Sequence, residues 1–488
     1  MLLGVAALGL AFQGTRGLWE PDEGFYANPA LEMLRSGDWW LPRLNGEPFL
    51  DKPPLVYWSI AAGMKLLGAH EWGARAGHAL LYAATAQLIG LLGARWWGRL
   101  AGLTASWVYA TSFLPFLASN VLTPDTPLAF CSALAYYTYW RLEEATRRRH
   151  RIAWGTSLGA ALGLGALAKG PAILVLGAPL VVVTLIRRRN ALRRLLDPGL
   201  LSAGLAFAAL AVPWYAWLAW RLPGAAGYLL DNQVLGRLMT ATYARNDAWY
   251  GGLVVYLPTL LVGSLPWTPL LLWRLSRLHA ERRSTLARLV SRPESRLLLA
   301  WFVFPLCVFV VARSRLPLYV LPLFAPISLA VGRALSERRP RPRLIEGTAV
   351  AGWLLALGLL KLAAGSYPYP RDSRELALEL ARNGIAPSRL IVCLDTKKNA
   401  LPVYGFHRVE QVTFSDRPYR FYSPPETLAE ELAEIGRERL TPVFIVSPAR
   451  APALTRSLAS AGVRFTEKRL QLPYVLVEVA GTDATHVG

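Results

Sequence analysis

The sequence predicts an α-helical polytopic membrane protein that ends in a soluble α/β domain. Of its 488 residues, 53% are hydrophobic and 17% are charged, and the mean hydropathy is +0.30. Such a chain is too apolar for one or two ordinary soluble domains. The net charge of +21 comes from basic residues that lie between apolar segments. This placement indicates membrane topology and not a nucleic-acid partner.

A membrane-spanning helix needs about 20 mostly apolar residues, and about eleven or more segments approach that length. They lie at about 1–14, 77–94, 100–118, 126–141, 153–168, 171–186, 201–220, 251–273, 297–312, 317–333 and 345–363. The first has no basic stretch before it and no small-residue cleavage site, so we expect a retained span and not a signal peptide.

Every second connection between these segments is rich in arginine. The basic connections lie at 95–99, 147–151, 187–194, 274–296 and 333–343. Cytoplasmic loops carry the excess of Lys and Arg. We therefore expect 15–76, 119–125, 169–171, 221–250, 313–317 and all residues after 364 to be periplasmic, with the chain in a bacterial inner membrane.

From residue 365 the pattern changes to soluble α/β. Helices are expected at 372–383, 425–437 and 451–461, and strands at 390–394, 442–446 and 470–478. The predicted domains are thus 1–364, a transmembrane domain whose functional loop is 15–76, and 365–488, a periplasmic domain. The second contains no glycine-rich phosphate loop. The cysteines and histidines show no metal-ligand spacing, so the metal content is unknown from sequence.

The first outer loop contains the paired carboxylates Asp22 and Glu23 among aromatic residues and prolines. Asp22 can act as a base that takes a proton from an attacking hydroxyl. Two plainer alternatives stay open. The aromatic residues can form an interfacial belt with solvated acids, and both acids can stabilise the start of a helix that continues through Met33.

Basic residues also occur in the predicted outer loops, against the charge bias. Lys52, Lys169, Arg237 and Arg315 together predict a pocket for a lipid phosphate, because Arg offers a forked donor and Lys a point charge. Each can instead lie at a helix end with its charged tip reaching the interface. Asp125 can orient a sugar hydroxyl or a lysine, or can cap the helix that follows.

Taken in order, the motifs resemble the polyprenyl-phosphate-dependent GT-C glycosyltransferases, especially the lipid A aminoarabinose transferases and the protein O-mannosyltransferases. The matching pieces are Glu20-Pro21-Asp22-Glu23, Gly37-Asp38-Trp39, Leu44-Asn45-Gly46, Lys52-Pro53-Pro54, Thr123-Pro124-Asp125, Lys169-Gly170-Pro171, Tyr256-Leu257-Pro258 and Arg315-Leu316-Pro317 with Tyr319.

The resemblance implies a GT-C fold, with Asp22 as the catalytic carboxylate and Lys52 among the groups that hold the donor phosphate. Glu23 is grouped with Asp22, and we expect Asp51, Asp125, Tyr57 and Tyr319 to orient the substrate. Three positions depart from the aminoarabinose transferases. Phe25 replaces an arginine, Asp51 a glutamate and Arg315 a lysine. The missing charge at Phe25 weakens the case for lipid A as acceptor.

The expected reaction is the inverting transfer of a sugar from polyprenyl phosphate to a lipid, glycan or protein. The sequence indicates no certain cofactor, and a role for a divalent cation stays open. A transporter or flippase of lipid-linked substrates is the alternative, but it would place charges mid-membrane within repeated, broken helices. A membrane-anchored binding domain would not need so many spans. The sugar, the acceptor and the prenyl length do not follow from the sequence.

Overall fold

The computed structural model describes residues 2–186, 196–231, 245–272, 276, 292–337, 344–414 and 422–480. Its helices include α1 (Leu2–Leu10), α2 (Gly24–Ser36), α3 (Leu55–Leu67), α4 (Glu71–Trp97), α5 (Arg99–Thr111), α6 (Phe113–Ala118), α7 (Asp125–Glu144), α8 (Arg148–Lys169), α9 (Ala172–Ile186), α10 (Pro198–Arg221), α11 (Ala225–Tyr228), α12 (Gly251–Gly263), α13 (Pro293–Val311), α14 (Phe324–Glu337), α15 (Leu344–Ser366), α16 (Ser373–Arg382), α17 (Leu428–Glu438) and α18 (Ala451–Ser460). Its strands are β1 (Arg43–Leu44), β2 (Glu47–Pro48), β3 (Ile391–Leu394), β4 (Val409–Thr413), β5 (Glu426–Thr427), β6 (Val443–Val446), β7 (Phe465–Arg469) and β8 (Val475–Val479).

Five helices in the described part of the chain are long and apolar enough to cross a membrane. They are Glu71–Trp97, Pro198–Arg221, Pro293–Val311, Pro317–Glu337 and Thr348–Ser366. Leu55–Leu67, Ala172–Leu185 and Gly251–Gly263 are apolar but shorter. A helical protein of this class with a C-terminal sheet is therefore confirmed, whereas the count of about eleven spans is not.

Two stretches differ from the sequence-based expectation. The predicted span 100–118 is broken at Ser112, whose extended backbone separates α5 from α6. The predicted loop 15–76 contains, besides the expected helix α2, the helix α3 and the start of α4. It also contains a β1–β2 hairpin, because Asn45 and Gly46 adopt the positive φ angles that a tight two-residue turn requires.

The chain divides into two compact units. The first comprises Met1–Gln13, Lys52–Ser59 and Arg75–Leu360, and the second comprises Gly14–Asp51, Ile60–Ala74 and Lys361–Gly488. Segments 14–51 and 60–74, which the sequence assigned to the transmembrane domain, thus group with the C-terminal residues.

Small residues allow close helix packing in the first unit. Gly159 of α8 lies against the backbone of Ala203 in α10, and Gly332 of α14 lies against Ala105 in α5, so that a Cβ at either glycine would clash. In an apolar environment close packing of this kind is a main source of helix association. Tyr136 of α7 and Trp301 of α13 stack at 3.7 Å between ring centroids within the same core.

The second unit contains a six-stranded sheet of order β5-β4-β3-β6-β8-β7. β5, β4, β3 and β6 are parallel, while β8 is antiparallel to β6 and β7. Alternate residues of β3 enter two hydrophobic clusters, one shared with α17 and α18 and the other with α16. Because side chains alternate along a strand, this places helices on both faces of the sheet.

Candidate functional site

The centre of the candidate site in the first unit is an ion pair between Asp125 and Lys169. Asp125 is the first residue of α7 and Lys169 is the last of α8. The Asp125 side chain is 6% exposed and that of Lys169 is 11% exposed, so both are largely shielded from solvent. Asp125 makes no capping hydrogen bond to α7, and Lys169 is paired inside the protein.

Aromatic and basic groups surround this pair. The Lys169 ammonium lies 4.0 Å from the ring centroid of Tyr319, close enough for a cation–π interaction. The hydroxyl of Tyr256 interacts electrostatically with Tyr319, Arg315 and Asp125. The structure therefore brings together four of the predicted site residues and adds Tyr256.

Tyr256 is the most informative member of this cluster. Only 2% of the residue is exposed, and its hydroxyl has no hydrogen-bond partner among the described residues. A buried Tyr hydroxyl normally finds a partner. Tyr256 belongs to the motif Tyr256-Leu257-Pro258, but the sequence alone indicated no role for it.

Arg315 is almost fully buried, with 3% exposure. Its Nη1 donates to the carbonyl oxygens of Asn246 and Ala248, both at 2.6 Å, and its Nε donates to Val310 at 3.2 Å. These bonds hold the segment before α12, so Arg315 has a structural task whether or not it also binds phosphate.

A second residue that the sequence analysis missed is His78 in α4. Its Nε2 lies 2.8 Å from the carbonyl oxygen and 3.3 Å from the amide nitrogen of Thr123. This contact fixes the turn that leads into Asp125. The sequence signal that could have identified His78 was a histidine within an apolar segment. The structure shows that this histidine is fully buried.

Lys52 and Tyr57 also belong to the first unit, and both are buried. Lys52 precedes Pro53-Pro54, after which α3 begins at Leu55. Arg237 lies outside the described residues.

In the second unit, Asp22 and Glu23 have different surroundings. Asp22 is exposed in the turn before α2. Glu23 is buried and accepts from Arg16 Nη1 at 2.5 Å and from the Trp19 amide at 3.0 Å. Glu23 therefore holds the local fold through Arg16 and Trp19, and Asp22 is the carboxylate that solvent can reach.

Glu20 anchors the same segment. Its Oε1 accepts from the Ala400 amide at 2.6 Å and from the Ser373 hydroxyl at 3.1 Å, while its buried Oε2 has no partner in the described structure. Burial raises the pKa of Glu20 from 4.5 to about 8, so this carboxyl holds its proton near neutral pH.

Phe25, the position at which an arginine was expected, stacks on Phe49. Lys397, in the loop after β3, places its ammonium 5.0 Å from the centroid of the Phe25 ring. The Lys397 ammonium thus places a positive charge beside Phe25, which replaces the expected arginine. Asp51 is half-buried in the segment between β2 and α3.

The described chain thus combines a bundle of apolar helices, with an acid–base pair at helix ends, and an α/β sheet with helices on both faces, an architecture shared with polytopic GT-C proteins. The fold is that of the crystal structure of ArnT from Cupriavidus metallidurans bound to undecaprenyl phosphate. The TM-score is 0.80 at 21% identity, over 98% of this chain and 97% of that chain. The Archaeoglobus fulgidus oligosaccharyltransferase is more distant, with a TM-score of 0.52 at 13% identity over 99% of this chain and 74% of that chain.

Sequence comparison leads to the same group. Residues 1–229 match the family described as dolichyl-phosphate-mannose-protein mannosyltransferase. The undecaprenyl phosphate-alpha-4-amino-4-deoxy-L-arabinose arabinosyl transferase of Pectobacterium carotovorum is 32% identical over 72% of this chain and 61% of its own length. Its counterpart in Pseudomonas aeruginosa is 31% identical over 72% of this chain and 62% of its own. The chain is thus similar to polyprenyl-phosphate-dependent glycosyltransferases of the GT-C fold, and its match spans about three fifths of the length of these relatives.

Proposed function

We propose that this protein transfers a sugar from a polyprenyl-phosphate donor to an acceptor, which is a lipid A-like lipid, a glycan or a protein. The relatives are named as undecaprenyl phosphate-aminoarabinose arabinosyl transferases, and this supports the reaction class. The departure at Phe25 leaves the acceptor to be determined by experiment.

The observation that carries the proposal is the polar cluster of the first unit. Asp125, Lys169, Tyr319, Arg315 and Tyr256 form one electrostatically linked group inside an otherwise apolar helical core. Burying so many polar groups costs folding free energy, and a protein with apolar side chains at these positions would often be at least as stable. A phosphate-bearing ligand accounts for the cost, since its oxygens accept from Tyr256 and from the basic side chains.

In the proposed mechanism, Asp22 accepts the proton of the acceptor hydroxyl as its oxygen attacks the anomeric carbon. The bond from that carbon to the phosphate oxygen breaks, and the electron pair leaves with the polyprenyl phosphate. One in-line displacement inverts the anomeric centre. The leaving phosphate is weakly basic, so a general acid is not needed.

Basic residues would stabilise the departing phosphate, and Lys52, Lys169, Arg237 and Arg315 are proposed for this role. Asp51, Asp125, Tyr57 and Tyr319 would orient the substrate. Glu23 contributes by holding the turn that carries Asp22. No cofactor enters this scheme.

The rival function, transport of a lipid-linked substrate, is less well supported. Transporters place charged residues within broken helices near the bilayer midplane. Here Asp125 and Lys169 lie at helix termini, and Arg315 lies just before the 3-10 helix Pro317–Leu323. Charges at helix ends fit a site near one membrane face.

The proposed setting is the bacterial inner membrane, crossed by about eleven or more helices, with 15–76 and the residues after 364 periplasmic. The support is the alternation of arginine-rich connections, although 187–195, 273–275, 277–291 and 338–343 lie outside the described residues.

The test is transfer from fluorescent polyprenyl-phosphate sugars by the purified protein in detergent, with and without a chelator to decide whether a divalent cation takes part. We expect wild type to release polyprenyl phosphate and form a glycosylated product. Asp22→Asn should lower the rate by about 100-fold or more, because general-base catalysis contributes about 10²–10⁴-fold. The Lys52→Ala variant should also transfer sugar more slowly than wild type.

Glu375→Gln is the matched control, because Glu375 is an exposed acid of the same unit. Its rate should equal that of wild type. If a panel of donors and acceptors gives no turnover, while the protein moves labelled lipid across vesicles and Asp22→Asn behaves as wild type, the transport function replaces this proposal.

A further inference from the structure

Three glutamates converge in the α/β part of the second unit. Glu426 belongs to β5, and Glu431 and Glu434 lie three residues apart on α17, so that they share one helix face. One carboxylate oxygen of each lies within 4.8 Å of those of the other two. Glu410 of the neighbouring strand β4 is close enough to interact electrostatically with Glu426 and Glu434.

Glu431 is the unusual member of this cluster. The residue is 1% exposed, and neither of its carboxylate oxygens accepts a hydrogen bond from any described residue. The charged groups that act on it are Glu410, Glu434 and Glu426, all of them acids. A buried carboxylate without a partner is costly to a fold.

Stabilisation of the helix start does not explain Glu431. Acids in a first turn are common because they accept backbone amides or complement the helix dipole. Glu430 performs this task, since its carboxylate accepts from the Thr427 amide at 2.7 Å while the Thr427 hydroxyl accepts from the Glu430 amide. Glu431 makes no such bond in the described structure and turns towards the other acids.

The donor set and its spacing suit a hard divalent cation. Carboxylate oxygens are preferred by Ca²⁺ and Mg²⁺, whereas softer metals favour His and Cys. Oxygens on opposite sides of Ca²⁺ are about 5 Å apart, given Ca–O distances of about 2.3–2.6 Å, and for Mg²⁺ the span is about 4.2 Å. Distances within 4.8 Å are compatible with either ion, but three protein carboxylates favour Ca²⁺, because Mg²⁺ keeps several waters and usually takes only one or two carboxylates.

We propose that Glu426, Glu431 and Glu434 form a calcium-binding site that ties β5 to the first two turns of α17, with Glu410 as a neighbouring acid. The bound ion would offset the repulsion among these acids and supply the partner that Glu431 lacks. This site is separate from the residues proposed for sugar transfer and does not depend on that proposal.

The test uses the full chain in detergent, stripped of metal with a chelator and titrated with CaCl₂ or MgCl₂ at constant ionic strength. Bound Ca²⁺ is measured with radioactive calcium, and stability as the unfolding temperature. We expect one saturable Ca²⁺ per chain and a higher unfolding temperature when it binds. Glu431→Gln and Glu434→Gln should each weaken binding by about tenfold or more, because ligand charge sets calcium affinity.

Glu467→Gln is the control, since it removes an exposed acid from β7, at the opposite edge of the sheet. It should bind Ca²⁺ as wild type does. In chelator, Glu431→Gln should unfold at the wild-type temperature or above, which shows that it folds. Absence of saturable binding, equal binding by wild type and Glu434→Gln, or saturation by Mg²⁺ alone would overturn the calcium assignment.

Discussion

At the scale of single residues, the ion pair of Asp125 and Lys169 is largely shielded from solvent, with 6% and 11% of the two side chains exposed, and this determines the effect of substitution. Asp125→Asn leaves the ammonium without its partner, which costs about 3–5 kcal/mol in the free energy of unfolding for a buried pair. We expect a large fall in unfolding temperature and loss of transfer. Thermal unfolding and the transfer assay measure the two effects.

The double variant Asp125→Leu with Lys169→Met separates structure from chemistry. Replacing both charges with apolar groups should recover much of the stability, because the desolvation cost disappears with the charges. Transfer should stay lost. Recovery of transfer along with stability would mean that the pair only supports the fold.

Tyr256→Phe removes a hydroxyl that has no protein partner among the described residues. Stability should therefore be unchanged or slightly higher, since no internal hydrogen bond is lost. If the hydroxyl donates to the donor phosphate, the KM for the lipid-linked sugar should rise by about tenfold or more, because a hydrogen bond to a charged group contributes about 1.5–3 kcal/mol.

Tyr136→Phe is the matched control for this prediction. The Tyr136 hydroxyl donates to the Leu176 carbonyl at 3.0 Å, so its loss should lower stability without a specific effect on KM. An unchanged KM in Tyr256→Phe would remove this tyrosine from the proposed site.

At the scale of elements, long apolar runs were sufficient to predict most helices, but not where a helix is interrupted. The break at Ser112 had a local cause in the sequence, since Pro115 has no N–H to donate to the carbonyl of Thr111. The indole of Trp353, far along the chain, donates to that carbonyl at 2.8 Å instead. A compensation of this kind cannot be inferred from the surrounding sequence.

The strands show the same limit. β3, β6 and β8 are apolar and buried, and they lie at or near the predicted positions. β4, β5 and β7 were not predicted. β5 has only two residues, and β7 is mostly exposed, so both are defined by their neighbours in the sheet and not by hydrophobic pattern.

The segment that carries Asp22 is itself an element whose stability depends on pH through Glu20. The folded-state pKa of Glu20 is about 8 against an ordinary 4.5, so the folded protein retains a proton that the unfolded chain releases. Raising the pH through this window lowers the free energy of unfolding, with a slope of up to about 1.4 kcal/mol per pH unit.

Glu20→Gln should abolish this part of the pH dependence, because Gln keeps the acceptor for Ala400 and Ser373 but does not ionise. As the pH rises from 5 to 9 in the presence of a chelator, the unfolding temperature of Glu20→Gln should increase relative to that of wild type. Glu375→Gln, at an exposed position, should follow wild type throughout. Parallel curves for wild type and Glu20→Gln would show that Glu20 does not titrate in this range.

At the scale of the whole molecule, the resemblance seen in the sequence agrees with the relatives found by comparison, but the sequence did not indicate which parts of the chain fold together. The motif around Asp22 was recognised because its residues are adjacent. Its attachment to residues 371–373 and 400 was not, because those partners are more than 300 positions away and no local pattern encodes the pairing.

Asp372 tests how much this long-range attachment matters. Its Oδ2 accepts from the Gly17 amide at 3.1 Å and the Trp19 indole at 3.2 Å, and its Oδ1 caps α16 through the Arg374 amide. Asp372→Ala removes the acceptor for all three donors, at a cost of about 1–3 kcal/mol. We expect faster hydrogen exchange in residues 14–23 and a lower rate of sugar transfer.

Asp38→Ala provides the comparison, because Asp38 also accepts backbone amides, from Trp40 and Leu41, but only within its own turn. Exchange should then rise around residues 38–41 and stay at the wild-type level in 14–23. If Asp372→Ala leaves exchange in 14–23 unchanged, the turn that carries Asp22 holds its shape without the C-terminal residues, and the α/β part of the chain must be explained by another role, such as the proposed calcium site.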